Sequence, residues 1–148
     1  LALDDTIGLL ARAPIVGLFE QDALKLLAFS AETRRLRPGE ALFNRGDRSD
    51  GGYVVTRGRI AMTSTEAAEP VVVGPSSLIG RLALFVRMQR PARAVALDAA
   101  EVLRISPTLM RRILTEFPTA ADTMRAEIAA DLAEFTAELE RLRGHFIK

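Results

Sequence analysis

The sequence predicts a mainly β domain, a sandwich or barrel, with helices at both ends. Three observations predict it. From Glu32 to about Ile105, short apolar runs are separated by the turn segments "RPGE", "NRGDRSDGG", "TRGR" and "VGPSS", the spacing of an all-β sandwich or barrel. Before Glu32 and after Ile105, apolar residues recur at helical spacing. The length, 148 residues, suits a single domain, and a chain of that size buries roughly 68–70% of its unfolded surface. The expected division is N-terminal helices over 1–31, the β unit over 32–105 and C-terminal helices over 106–148.

The elements follow in order. "DDTIGLLARA" opens with acids and continues with apolar residues at helical spacing. "LFEQDALKLLAF" does the same, with Glu20 and Asp22 in the first turn, where the helix dipole favours anions. "TEAAEP" reads as a hairpin loop. In "SPTLMRRILTEF", Ser106 is the expected N-cap and Pro107 the first helical residue, where its missing N–H costs nothing. Pro118 breaks that helix; Thr119 is expected to cap a longer one, with Asp122 completing a capping-box variant. That helix can run to about Arg143.

Composition excludes several functions. The chain has no Cys, which removes disulfides, zinc–thiolate sites, iron–sulfur clusters and Cys nucleophiles. Twenty basic residues against 19 acidic give a net charge of +1, too balanced for a whole-surface nucleic-acid binder. No apolar run approaches the ~20 residues of a membrane span. The opening "LALDDTIGLL" carries acids where a secretory signal carries positive charge. A cytoplasmic location is the resulting expectation. His145 is the only histidine and has no second His or Cys with which to share a metal. Asp47 and Asp50 lack the ligand count of a calcium loop and read as a β-turn. There is no Ser-His-Asp set, carboxylate pair or P-loop, so a non-enzymatic role is expected, with no cofactor and no metal.

The stretch "IGRLALFVRMQRPAR" stands out. Arg81, Arg87, Arg90 and Arg93 fall within it, with no acid. Either these guanidinium groups hold a small anion or they are a solvated loop.

The middle of the chain resembles the cyclic nucleotide-binding domain of the Crp/Fnr regulator superfamily. "RPGEALFNRGDRSDGGYVVTRGRI" is similar to the family's strand–turn–strand run, with Pro38, Gly39, Glu40, Phe43, Gly46, Asp47, Tyr53 and Gly58 at family spacing. "VGPSSLIG" resembles its Gly-Pro turn, "IGRLALFVRMQRPARA" its phosphate-binding cassette, and "AEVLRIS" the strand leading to the C-terminal helices. The resemblance covers roughly Leu9 to Arg143. It implies a β-roll, the jelly-roll form of a double-stranded β-helix, of about eight strands with N-terminal helices and a long C-terminal helix. Gly39, Gly46 and Gly58 fall in tight turns, where φ above zero is cheap only for Gly.

The same resemblance implies a site for a cyclic nucleotide or another small anionic ligand, built from Gly80, Arg81, Leu82, Ala83, Arg90, Pro91, Ala92 and Arg93. In the family a short helix starts at the position of Gly80 and points N–H groups at phosphate. Arg90 matches the arginine that pairs with that phosphate as a fork. Leu82, Ala83 and Leu84 match the apolar turn that packs this helix on the roll. Two departures follow. Family members that bind cyclic nucleotides carry a Glu, an acceptor for the ribose 2′-hydroxyl, where this chain has Arg81, and arginine has no acceptor. Pro91 lacks an N–H, and Arg93 stands where a small hydroxyl is usual. Poor cAMP affinity is expected. Arg81 and Arg93 either retune the pocket for a more anionic ligand or turn away to solvent or to carboxylates. Arg87 reads as a solvated loop tip.

On the last helix, Ile128, Leu132, Phe135, Leu139 and Leu142 include steps of three and four, the alternation of a coiled-coil seam. In the family the matching helix pairs with its twin, so a homodimer is expected, with each seam residue at the interface. The family's DNA-binding factors continue into a helix-turn-helix domain about where Lys148 stands. No nucleic-acid contact is expected from this chain alone. Three readings stay open: a ligand-sensing regulatory module, a dimerisation or scaffold module with a non-functional pocket, and the sensor half of a DNA-binding transcription regulator.

Overall fold

The computed structural model describes residues 2–65 and 67–147, with backbone alone at 132, 135, 138 and 142–147. Helices α1 (Leu3–Ala11) and α2 (Gln21–Ser30) come first, joined through a 3-10 turn at Val16–Leu18. Eight strands follow: β1 (Glu32–Leu36), β2 (Ala41–Phe43), β3 (Gly52–Arg57), β4 (Ile60–Thr63), β5 (Val71–Val73), β6 (Leu78–Ile79), β7 (Arg93–Ala96) and β8 (Ala100–Ile105). Helices α3 (Pro107–Glu116) and α4 (Pro118–Ile147) close the order. The strands form two four-stranded sheets, β1-β8-β3-β6 and β2-β7-β4-β5, antiparallel throughout.

Strand alternation divides the core into two layers. Leu36, Tyr53, Val55 and Val102 of the first sheet face Phe43, Ile60, Ala94 and Ala96 of the second, inside the roll. Val54, Leu103 and Ile105 point the other way and pack with Leu10, Leu24, Leu27, Met110 and Ile113 of the helices. Each such large apolar side chain, fully buried, contributes roughly 1.5–3 kcal/mol. The first sheet therefore serves both layers, and the helices at both chain ends cover its outer face.

Gly39, Gly46 and Gly58 adopt positive φ as their turn positions require. At Gly58 a side chain would also meet the Ala99 carbonyl oxygen at 2.5 Å. The hairpin around "TEAAEP" forms, with β4 and β5 paired on either side of it. Ser106 caps α3 as expected, its Oγ accepting from the Leu109 N–H. Thr119 does not cap α4. The helix begins one residue earlier, with Pro118 at its first position, where no N–H is needed. Asp122 pairs forward with Arg125 instead of back to a cap. The helix also continues past Arg143 to Ile147, 30 residues in all, or about 45 Å at 1.5 Å per residue. Among the described residues no helix is long and apolar enough to cross a membrane.

Candidate anion-binding site

The four arginines of Ile79–Arg93 go in four directions. The cassette leaves β6 at Gly80, whose φ of 77° turns the chain into a 3-10 turn at Leu82–Leu84. The Ala83 N–H donates to Gly80 O at 3.1 Å. Ala83 and Leu84 are buried, and Leu84 packs so closely on β3 that a Cβ on Gly52 would lie 2.7 Å from its Cδ2. Leu82, expected in the packed face, is 60% exposed; in so short a turn only two of the three apolar side chains reach the roll.

Arg90 lies under this turn, inside the roll. It is 3% exposed. Its Nη2 donates to Gly51 O at 2.7 Å and to Asp50 Oδ1 at 3.3 Å. The guanidinium carbon stands 4.2 Å from the Phe43 ring centre and 5.4 Å from that of Tyr53. Its Nη1 occupies the space beneath Gly80, where a Cβ would come within 2.8 Å of it. Arg90 and Gly80 are thus together, as the cassette reading requires, but part of the guanidinium is already bonded to the protein.

Arg81 points outward to α4, where its Nη2 lies 3.2 Å from Asp131 Oδ2, with both side chains about half exposed (47% and 45%). An exposed pair of this kind contributes at most about 1 kcal/mol. Arg87 is exposed at the cassette tip and lines a separate cavity with Arg48. Pro91 is exposed and Ala92 partly buried where the chain enters β7. The structure does not bring Arg93 to this group. Ala94 and Ala96 face the core, so alternation puts Arg93 on the outer face of the second sheet, beside Asn44 and Arg45.

Around Arg90 stands a charged network that sequence reasoning missed. Asp50, read as a turn residue, accepts from the Tyr53 hydroxyl at 2.6 Å and from Arg34 Nη2 at 2.8 Å. Arg34 Nη1 also donates to the Tyr53 oxygen at 2.8 Å. Arg104 Nη1 donates to the Asp50 carbonyl at 2.6 Å and its Nη2 to Glu32 at 3.2 Å. Burial raises the Asp50 carboxyl, but hydrogen bonds from Tyr53 and Arg34, with the charges of Arg34 and Arg104, outweigh it and hold it below the ordinary value. Burial, then the bond to Asp50, push the Tyr53 phenol up to about 12. A signal was present in "ETRRL": alternation places Glu32 and Arg34 on the inward face with Leu36, and charges there need partners. Asp47 does form the expected turn, accepting from the Asn44 N–H at 2.9 Å.

The arrangement gathers the guanidinium groups of Arg34, Arg90 and Arg104 around one acidic residue, Asp50. Among the described residues no group of three or more His, Cys, Asp or Glu side chains is placed to hold a metal ion. Of the seam on α4, Ile128 and Leu139 are exposed, at 43% and 49%. Leu132, Phe135 and Leu142, like His145, have side chains that lie outside the described residues.

Comparison with known proteins bears on the family and the fold. The model of the family described as "Cyclic nucleotide-binding domain" matches residues 33–117, from β1 to the end of α3. The cyclic AMP receptor protein of Thermus thermophilus is 30% identical over an alignment of 121 residues that covers 78% of this chain and 56% of that protein. The chain therefore spans little more than half the length of that relative. Among solved structures, the N-terminal domain of a transcriptional regulator from Streptomyces coelicolor A3(2) superposes with a TM-score of 0.79 at 28% identity, covering 88% of this chain and 94% of that one. A cyclic nucleotide-binding-like protein from Brucella abortus is 36% identical, with a TM-score of 0.67 over 76% of this chain and 99% of its own.

Proposed function

The chain belongs to the cyclic nucleotide-binding domain family, and from that premise we propose that it is a non-enzymatic sensor of a small anion other than cAMP. The ligand would sit at the cassette, against Gly80, Arg81, Leu82, Ala83, Arg90, Pro91 and Ala92. Arg93 is left out because it faces away. The observation that supports this reading is Arg90 packed beneath Gly80, the placement a phosphate-pairing arginine needs. Poor cAMP affinity follows from Arg81: where an acceptor for a ribose hydroxyl is needed, there is a cation that pairs with Asp131. The domain would work in the cytoplasm as a homodimer through α4, with the exposed Ile128 and Leu139 in an isologous contact.

A thermal-shift screen over cyclic mononucleotides, cyclic dinucleotides, other nucleotides and small organic acids tests this. A ligand at 100 times its dissociation constant adds about 2.7 kcal/mol. The response should disappear in Arg90→Lys, which keeps the charge but loses the fork.

One observation favours a second reading. Arg90 is already bonded to Gly51 and Asp50, which suits a dimerisation or scaffold module whose pocket is filled by its own side chain. No stabilisation by any anion, with the dimer intact, would favour that reading. The likeness to a transcriptional regulator's N-terminal domain keeps a sensor half of a DNA-binding regulator in view; reading the gene beyond Lys148 decides it.

A further inference from the structure

Beside the cassette lies a second cluster of cations that the proposed reading does not use. A cavity of about 710 Å³ is lined by Arg48, Arg87, Arg104 and Arg111, with Asp50 and the cap residue Ser106. The arginines come from the loop before β3, the cassette tip, β8 and α3. Their convergence is fixed by backbone. Arg48 and Gln89 form an antiparallel bridge; the Ser49 N–H donates to Met88 O at 2.7 Å, and the Met88 N–H to Ser49 Oγ at 2.9 Å. These bonds clamp the two loops together and bring Arg48 and Arg87 to one wall.

The charge in this cavity is not balanced from within. Asp50 is its one acid among these six, and its carboxylate already accepts from Tyr53, Arg34 and Arg90. No carboxylate pairs with Arg48, Arg87 or Arg111 among the described residues. Arg111 reaches only Thr108 Oγ1, at 3.3 Å. Arg104 is anchored through both Nη atoms, yet its Nε–H is buried with no acceptor among the described residues. The N-terminus of α3 adds its positive end.

We propose that this cavity binds an oligophosphate, pyrophosphate or longer, either free or as the tail of a nucleotide. Guanidinium forks match phosphate oxygens two at a time. Three such forks, from Arg48, Arg87 and Arg111, with the charge of the anchored Arg104 beside them, call for more negative charge than a single phosphate carries, and the volume accommodates a chain of phosphates. Arg87, a solvated tip by sequence, becomes one wall of this site. Arg81 and Arg90 do not line it, so it shares with the cassette only the tip, through Phe85 and Arg87.

The test is calorimetric titration of the intact chain with pyrophosphate, tripolyphosphate, ATP and, as a polyanion without phosphate, citrate. Tripolyphosphate should bind one per chain. Arg48→Ala, Arg87→Ala and Arg111→Ala should each weaken it about tenfold or more. Arg81→Ala should leave it unchanged, and so should Arg45→Ala with Arg93→Ala, two exposed cations placed elsewhere. Equal binding of ATP identifies a nucleotide tail as the source; tripolyphosphate without ATP identifies free oligophosphate. Absence of phosphate binding, citrate binding as tightly, or equal losses in the Arg45 and Arg93 variant would each overturn the proposal. So would binding that is lost in Arg81→Ala but kept in Arg87→Ala, since the ligand would then sit in the cassette.

Discussion

Replacing Arg90 by alanine probes the interior of the roll directly. Three interactions disappear. The first is the buried, charge-assisted bond from Nη2 to Gly51 O at 2.7 Å, worth roughly 1.5–3 kcal/mol. The second is the stacking of the guanidinium over Phe43, 4.2 Å from the ring centre, about 2 kcal/mol when desolvated. The third, the 3.3 Å contact to Asp50, is the weakest, because Asp50 keeps Tyr53 and Arg34. Releasing a buried guanidinium to nothing recovers part of its desolvation cost, while Gly51 O is left without this donor. The balance is a loss of about 3 kcal/mol. At about 2–4 °C per kcal/mol for a domain near this size, Tm falls by roughly 6–12 °C. Urea and thermal unfolding followed by circular dichroism measure it, with Arg87→Ala and Arg93→Ala as surface controls expected within about 0.5 kcal/mol of the parent. If Arg90→Ala matches those controls, the guanidinium is not anchored in the roll and the geometry described for it is wrong.

Other outcomes follow from the same network and from α4. Tyr53 is the only tyrosine and there is no tryptophan, so tyrosinate absorbance reports on it alone. It should titrate near 12, above the ordinary value of about 10, and Asp50→Asn should bring it down. Because the folded value is raised, this phenol's contribution to stability is complete below about pH 10 and lost as pH rises through it. Asp50 runs the other way: its folded value is lowered, so its contribution is present above about pH 4 and lost as pH falls through the folded value. Denaturation against pH should show a shallower acid limb in Asp50→Asn. On α4, Ile128→Glu with Leu139→Glu should give folded monomers by light scattering where the parent is a dimer; a parent already monomeric at tens of micromolar removes the seam.

The fold was legible because its signals are local. Turn glycines, strand-length apolar runs and the Ser106–Pro107 start of α3 each act within a few residues. The start of α4 was misplaced for the same kind of reason, since Pro118 can end one helix or begin the next, and here it does the second. The cassette was legible in part. Gly80 and Arg90 come together, and Arg93 could have been set aside from its alternation with Ala94 and Ala96. The Asp50 network was not legible from spacing, because its partners Arg34, Arg90 and Arg104 are brought in from distant strands and loops. Nor was the destination of Arg81, which depends on how α4 passes the cassette.

Calorimetric titration with cAMP bears most directly on the sensor reading. The unmodified chain should show no binding tighter than micromolar. Arg81→Glu, made with Asp131→Asn to remove the repulsion the new carboxylate would meet, should bind cAMP about tenfold tighter or more, the value of one charged hydrogen bond to a ribose hydroxyl. Sub-micromolar cAMP binding by the unmodified chain would contradict it.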